Sequence, residues 1–286
     1  MSTIKKILVP FEDNIMSIRA LEYAAMFATG IGAKITVFHL ADSTDYQSLA
    51  EFKEELNTLI EEQFRPKLKS IQQIYPDLHK IAIQTLGLQT SIHKHIVGFA
   101  KENAFDLIIM RSHKLKKGDD WELHFKDTNA YKVTLEATCP VFTFTNIPEK
   151  PKLKNILMPI DLSEGSLFKV PYTISLAKQF GSTIHLLSAS ENSDDIEELQ
   201  QQIKELYREL EDRGVRAVKN EICTKTLPEA ISDYTNSNDI DLIVIMSRPK
   251  FRWSDLWISP KAKKIISHSK IPVISMRSDR PMDIEL

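Results

Sequence analysis

The chain has 286 residues, 42% of them hydrophobic and 27% charged, and a formal net charge of −2. That length exceeds what one ordinary domain needs and suits two, and the near-neutral charge gives no whole-molecule field for nucleic acid or an anionic membrane. The two cysteines, Cys139 and Cys223, form neither a disulfide framework nor a metal-ligand spacing; no run reaches the roughly 20 apolar residues of a membrane span, and without a signal-like apolar stretch near Met1 a reduced, cytoplasmic setting is expected.

The first elements are short and apolar. Ile4–Pro10 is a hydrophobic run ended by proline, the pattern of a buried parallel strand. A helix follows and should close at Gly30 or Gly32, where a left-handed cap is needed. Then come a strand at Lys34–Leu40, a long charged helix near Gln47–Ile74, a strand at Lys80–Thr85, a helix ending before Asp106, and a strand at Leu107–Met110. In the last helix of this half, Ala130, Val133, Thr134 and Ala137 recur at helical spacing and should form one buried face. Cys139-Pro140-Val141 opens the closing strand; proline there suits a sheet edge, and Cys139 is expected to be buried and inert.

The same order of parts returns from Lys154. Pro159 matches Pro10, Asp241 matches Asp106, and Pro272 matches Pro140. Asn155–Pro159 reads as a strand. Leu167, Val170, Ile174 and Ala177 read as one apolar helical face, and Gly181 as its cap. Thr183–Leu187 (strand), Asp194–Asp212 (helix), Val215–Ile222 (strand) and Leu242–Ile245 (strand) follow. The last helix repeats its buried face at Ala262, Ile265, Ile266 and Ser269, before a strand opened by Ile271-Pro272-Val273. This is a duplicated domain, 1–147 and 152–286, joined by the proline-rich and charged Asn146–Asn155. Alternating strand and helix imply parallel sheets covered on both faces. Ligands in such sheets bind beyond the strand C-termini where strand order reverses. A reversal between strands one and four would bring Pro10–Asn14 near Arg111–Lys114, and Pro159–Ser163 near Met246–Lys250.

The ordered set ILVP at Ile7–Pro10, ILMPIDLSE at Ile156–Glu164, DLIIM at Asp106–Met110, DLIVI at Asp241–Ile245 and the closing CPV and IPV resembles the universal stress protein (UspA-like) family in its tandem two-domain form. The resemblance implies two tandem Rossmann-like domains, related to adenine nucleotide alpha hydrolases, each a five-stranded parallel sheet with helices on both faces. Members commonly dimerise through the last strand, and some bind ATP while others do not. The ATP-binding branch carries G-x2-G-x9-G-[S/T] after strand four. Here the second repeat has Met246, Pro249, Ser259 and Pro260 at those places, and the first has Arg111, Lys114, Asp127 and Thr128. No glycine is kept, and only the Thr128 hydroxyl matches. Glycines let backbone N–H groups approach a phosphate; Pro249 removes one such donor. Asp127 is expected as N-cap of the first repeat's last helix, where its charge would repel phosphate. In the second repeat Ser259 as N-cap, Pro260 in the first helical position and Lys261, Lys263 and Lys264 make a better anion site, but Phe251, Trp253 and Trp257 crowd that loop. An Asp after strand one contacts adenosine in nucleotide-binding relatives. Asp161 matches it and Glu12 stands in the first repeat, but a turn or N-cap role is the favoured reading of Asp161, since helix starts favour Asp regardless of ligand.

Other features are weaker. His93 and His95, two apart on a helix, face different sides and do not make a metal pair; His113 suits a loop hydrogen bond. Lys114-Leu115-Lys116-Lys117 reads as a solvated loop, with an anionic partner as its alternative. Trp121, Trp253 and Trp257 either cap the sheet or form a contact surface. No nucleophile, acid and base come together, so no enzyme is expected. The leading reading is a non-catalytic cytoplasmic stress-response protein with degenerate nucleotide sites and no cofactor, acting through an unidentified protein partner. Its domains would pair about a pseudo-two-fold axis with Val141–Phe144 beside Val273–Met276, leaving room for a homodimer. The alternative is an ATP-binding sensor using the second domain, with Asp161 on the adenosine side, Ser247, Arg248 and Ser259 on the phosphates, and Thr128 as a weaker contact in the first domain.

Overall fold

A computed structural model of the chain describes residues 4–11, 15–42, 58, 62, 65–74, 81–88, 91–112, 128–145, 151–163, 165–220, 222, 224–248 and 260–277. Contacts divide it into two compact units, Ile4–Arg111 and a second that starts at Ser112. In the first, β1 (Lys6–Phe11), α1 (Ile15–Ile31), β2 (Lys34–Asp42), α2 (Arg65–Ile74), β3 (Ile81–Leu88), α3 (Ile92–Glu102) and β4 (Leu107–Arg111) follow one another. The strands are parallel in the order β3-β2-β1-β4. Ile7, Leu8 and Val9 are all fully buried, as a strand covered on both faces requires. Of the two candidate glycines, Gly32 ends α1: its φ is 72° and its N–H donates to the Ala28 carbonyl at 2.7 Å. The part of the Gln47–Ile74 helix that is described is α2.

The second unit contains α4 (Asn129–Glu136), β5 (Val141–Phe144), β6 (Asn155–Ile160), a 3-10 turn (Ser166–Lys169), α5 (Val170–Phe180), β7 (Thr183–Ser188), α6 (Asp195–Asp212), β8 (Ala217–Lys219), α7 (Leu227–Ser237), β9 (Leu242–Arg248), α8 (Pro260–His268) and β10 (Val273–Arg277). Its strand order is β5-β10-β9-β6-β7-β8. β10, β9, β6, β7 and β8 are mutually parallel, and β5 runs antiparallel to β10. In each unit the strand order reverses beside the first strand of the repeat, β1 against β4 and β6 against β9. The register is the same in both: Ile7 lies opposite Leu107, and Ile156 opposite Leu242.

The duplication extends to hydrogen bonds. Asp106 accepts the N–H groups of Lys5 and Lys6 at 2.8 and 2.9 Å, and Asp241 accepts those of Lys154 and Asn155 at the same distances. The carboxylate ahead of strand four thus pins the start of strand one. The buried helix faces agree as well. Ala130, Val133, Thr134 and Ala137 are buried along α4, as are Ala262, Ile265 and Ile266 on α8; Ser269, expected on the same face, is only half-buried, because α8 ends at His268 and the Ser269 hydroxyl turns to the Ile271 carbonyl.

The structure corrects the sequence in four further places. Leu167 is 43% exposed instead of sharing the buried face of Val170, Ile174 and Ala177. Helix α5 begins only at Val170, and Ser166–Lys169 winds as a 3-10 turn. With three residues per turn, positions i and i+3 eclipse, so Ser166 and Lys169 turn inward while Leu167 and Phe168 turn outward. The Val215–Ile222 strand shortens to β8, which pairs with β7 alone among the described strands; a short edge strand carrying Lys219 limits unwanted strand addition. Pro272 does not mark an edge, because β10 is paired on both sides. Proline is accepted there since it stands one residue ahead of the ladder and contributes only its carbonyl, which accepts from Ile243 N at 2.9 Å. Cys139 is half-buried, being two residues ahead of β5.

Candidate functional site

The site lies where β6 and β9 end side by side. Asp161, the first residue past β6, is held in a tight turn. Its carboxylate oxygen Oδ1 accepts from the Ser163 hydroxyl at 2.5 Å and from the Ser163 N–H at 3.2 Å, while its own N–H donates to Ser166 Oγ at 3.1 Å. This is the self-bonded turn that Asp forms readily. Beneath it lies Lys169, only 3% exposed. Its Nζ donates to the Ser166 carbonyl at 2.5 Å and lies 3.3 Å from Ser166 Oγ, and the Lys169 carbonyl accepts from Thr173 Oγ1 at 2.8 Å. The 3-10 turn carrying these groups packs against β9.

The electrostatics follow from this geometry. Burial lowers the pKa of the Lys169 ammonium to about 8, and the Asp161 carboxylate only partly offsets the effect. Burial pushes the Asp161 carboxyl upward, but the Ser163 hydroxyl, the Lys169 charge and the Ser163 N–H together outweigh it. Asp161 therefore titrates below the usual carboxylate value. The two charges influence each other through Ser166, which accepts from both the Lys169 ammonium and the Asp161 N–H.

Ser247, on β9, is completely buried and its hydroxyl donates to the Met276 carbonyl at 2.9 Å. The matching position in the first repeat, Ser112, uses its N–H instead, donating to the Phe144 carbonyl at 2.8 Å. The buried Ser112 hydroxyl has no partner among the described residues. Arg248 closes β9 opposite Arg277 of β10. Thr128 is the N-cap of α4, its Oγ1 accepting the Tyr131 N–H at 3.2 Å; the cap is therefore Thr128 and not Asp127. The offset of one arises because the Thr side chain reaches the N–H three residues on from the residue directly before the helix. α8 starts at Pro260 as expected, with Lys261 and Lys264 exposed and Lys263 buried. Ser259, Glu12, His113, Lys114–Lys117, Asp127, Pro249, Phe251, Trp121, Trp253, Trp257 and Cys223 lie outside the described residues.

The model of the Universal stress protein family matches residues 3–144 and 152–277, nearly the whole chain and once per repeat. The chain belongs to the universal stress protein family. Among solved structures, a universal stress protein from Archaeoglobus fulgidus is 16% identical with a TM-score of 0.74, covering 96% of this chain and 97% of that one. A putative universal stress protein from Pseudomonas aeruginosa is 17% identical with a TM-score of 0.67, covering 98% and 95%. At these identities the likeness is one of fold, in both cases over the full tandem arrangement. A search of curated proteins finds no match.

The universal stress protein fold thus brings Asp161 and Ser247 to neighbouring strands and leaves Thr128 on a helix start in the other repeat. Three of the groups that the sequence offers to a nucleotide are engaged internally: Asp161 by Ser163, the Ser247 hydroxyl by β10, and the Thr128 oxygen by its own helix. Sequence reasoning missed Ser166 and Lys169. Their signal was present as two polar residues three apart, just ahead of Pro171, within what otherwise reads as an apolar face.

Proposed function

We propose that this universal stress protein is non-catalytic, that its nucleotide sites are degenerate, and that it acts through contacts with another protein. The reading rests on the turn at Asp161, whose carboxylate is already taken by the hydroxyl and N–H of Ser163. A ligand ribose would have to compete with Ser163 for that carboxylate. Leu167 and Phe168, 43% and 36% exposed on the adjoining turn, supply apolar surface at the same place, which suits a protein contact. Antiparallel pairing of β5 with β10, the equivalent closing strands of the two repeats, supports a local two-fold relation between those repeats. No described helix is long and apolar enough to cross a membrane; a cytoplasmic setting is part of this proposal. Titration calorimetry with ATP and with ADP, each with and without Mg²⁺, tests it. The expected result is no binding at micromolar concentration, and micromolar binding defeats the reading.

One observation favours the sensor alternative: Asp161 is held in its charged form at the reversal of strand order, where α/β sheets bind ligands. If calorimetry detects ATP, Asp161→Ala and Arg248→Ala should each weaken it. Unchanged affinity in both would place the nucleotide elsewhere.

A further inference from the structure

At the end of β6 away from Asp161, three side chains form a run of hydrogen bonds. His185 of β7 stands between Tyr234 of α7 and Asn155, the first residue of β6. Its Nδ1 lies 2.8 Å from the Tyr234 hydroxyl and its Nε2 3.3 Å from Asn155 Oδ1. Asn155 is fixed in turn, its Nδ2 donating to the Asp239 carbonyl at 2.7 Å. The amide therefore presents its oxygen to the ring, and an oxygen only accepts. Nε2 carries the imidazole proton, and Nδ1 is left to accept the phenol proton. Burial lowers the His185 pKa, which keeps the ring neutral at pH 7. His185 follows Asn155 by 30 positions and precedes Tyr234 by 49, so the sequence does not show the three together. A nucleophile, a base within hydrogen-bond reach and a third group that orients the base are the parts of an activated nucleophile.

We propose that Tyr234 is a site of covalent acylation, its phenol attacking a small, uncharged activated ester with His185 as base and Asn155 as positioning residue. The Tyr234 oxygen bonds to the acyl carbon while its proton passes to His185 Nδ1. The donor's acyl–oxygen bond breaks, its alcohol leaves as the anion, and the imidazolium returns the proton to water. All three residues are half-buried, which admits a small donor. The charges around them are paired: Lys152 with Asp239 at 2.6 Å and Asp241 at 3.2 Å, and Lys225 with Asp233 of α7 at 2.6 Å. On β8, Val218 lies opposite His185 and Lys219 Nζ stands 5.1 Å from the Tyr207 ring centre. An uncharged ester suits these surroundings better than a phosphate donor. The other described tyrosines lack the arrangement. Tyr23, Tyr131 and Tyr172 are buried, and Tyr207 bonds to the Glu211 carboxylate, which raises its pKa and opposes ionisation.

The test uses the full chain with p-nitrophenyl acetate as probe, peptide mass spectrometry to locate the acetyl group, and hydroxylamine to remove tyrosine esters while leaving lysine amides. A single hydroxylamine-sensitive acetyl is expected on Tyr234, formed faster than on Tyr207. Its rate should climb through an inflection below the ordinary imidazole value of 6.5 and then stay level until the phenol itself ionises at about pH 10. His185→Gln should slow it about 100-fold, the lower end of what a positioned base contributes. Asn155→Asp puts a carboxylate beside Nε2 and should move the inflection upward while keeping the label. Tyr234→Phe, which retains the ring, should abolish the hydroxylamine-sensitive label. p-Nitrophenyl phosphate should leave Tyr234 unmodified. A label confined to other residues, a rate that follows phenol ionisation alone, indifference to His185→Gln, an inflection unmoved by Asn155→Asp, or phosphorylation of Tyr234 would each overturn the proposal. The outcome is independent of the ATP titrations, because these three residues are not among those of the β6–β9 site.

Discussion

A single carboxylate fixes the start of the first strand in each repeat. Asp241 is buried and accepts two backbone N–H groups, with Lys152 Nζ 3.2 Å from its other oxygen. Removing it leaves two strand N–H groups without their acceptor, while Lys152 keeps Asp239 at 2.6 Å. Asp241→Ala should therefore lower stability by about 1.5–3 kcal/mol, the range for hydrogen bonds to a charged group, read from urea denaturation at constant m-value. Asp106→Ala should cost less, because its bonds are exposed and water can replace the carboxylate. Lys169 acts in the opposite sense. Its ordinary pKa of 10.5 falls to about 8 on folding. Below pH 8 it is charged in both states, and its burial opposes folding. Between the two values the folded chain has released the proton and the unfolded chain still holds it, so stability rises with pH through that window. The urea midpoint should rise on going from pH 7.5 to 9.5, and Lys169→Met should flatten the rise. A midpoint that climbs equally in the variant would show that another group controls it. Asp161 contributes in the acid range: with a depressed folded pKa, its share of stability is full above the unfolded carboxylate value and is lost as pH falls through the folded one.

Elements were legible where one period ran unbroken and illegible where two periods met. The faces of α4 and α8, the strands beside Asp106 and Asp241, and the parallel sheets all follow from apolar spacing alone. Leu167 did not, because a threefold turn and a 3.6-fold helix share the stretch around Val170, and the hydrophobic count through both cannot say where one winding replaces the other. The site suffered for the same reason: Lys169 reads as a surface residue in a helix and becomes a buried cation only in the tighter turn. Similarly, Ser247 was legible as a polar residue at the strand end, but nothing in its type says that its hydroxyl turns toward β10. Glycine caps, by contrast, are set by one residue's backbone. Gly181 sits at φ 64° with open space where a Cβ would go. Gly181→Ala should then cost about 1–2 kcal/mol from backbone strain alone, with no packing penalty. The measurement is the thermal midpoint, and an unchanged value would mean that α5 ends in another conformation.

Across the whole chain, the unit of sequence and the unit of packing differ. The family match places residues up to 144 in the first repeat, yet α4 and β5 pack within the second compact unit. Tyr131 and Leu135 of α4 join the core that holds Ile243, Ile245, Ile265 and Val273. The closing strands are also tied crosswise at equivalent positions. Thr145, just past β5, donates through Oγ1 to the Ser269 carbonyl behind α8, and Arg277, at the end of β10, donates through Nη1 to the Leu135 and Glu136 carbonyls at 3.3 and 3.4 Å. Each repeat thereby satisfies carbonyls that the other's last helix leaves open, and Arg277 adds a cation at a helix C-terminus, where the dipole favours one. If cooperativity follows packing, the amides of Val141–Phe144 belong to the same opening unit as those of β9 and β10. Ile243→Ala, a core deletion expected to cost about 2–5 kcal/mol, should accelerate native-state hydrogen exchange in β5 by the same factor as in β10. Arg277→Ala should reduce protection at the end of α4 while leaving β6 and β7 as before. Exchange in β5 that ignores Ile243→Ala would mean that the repeat, and not the packed unit, is what unfolds together.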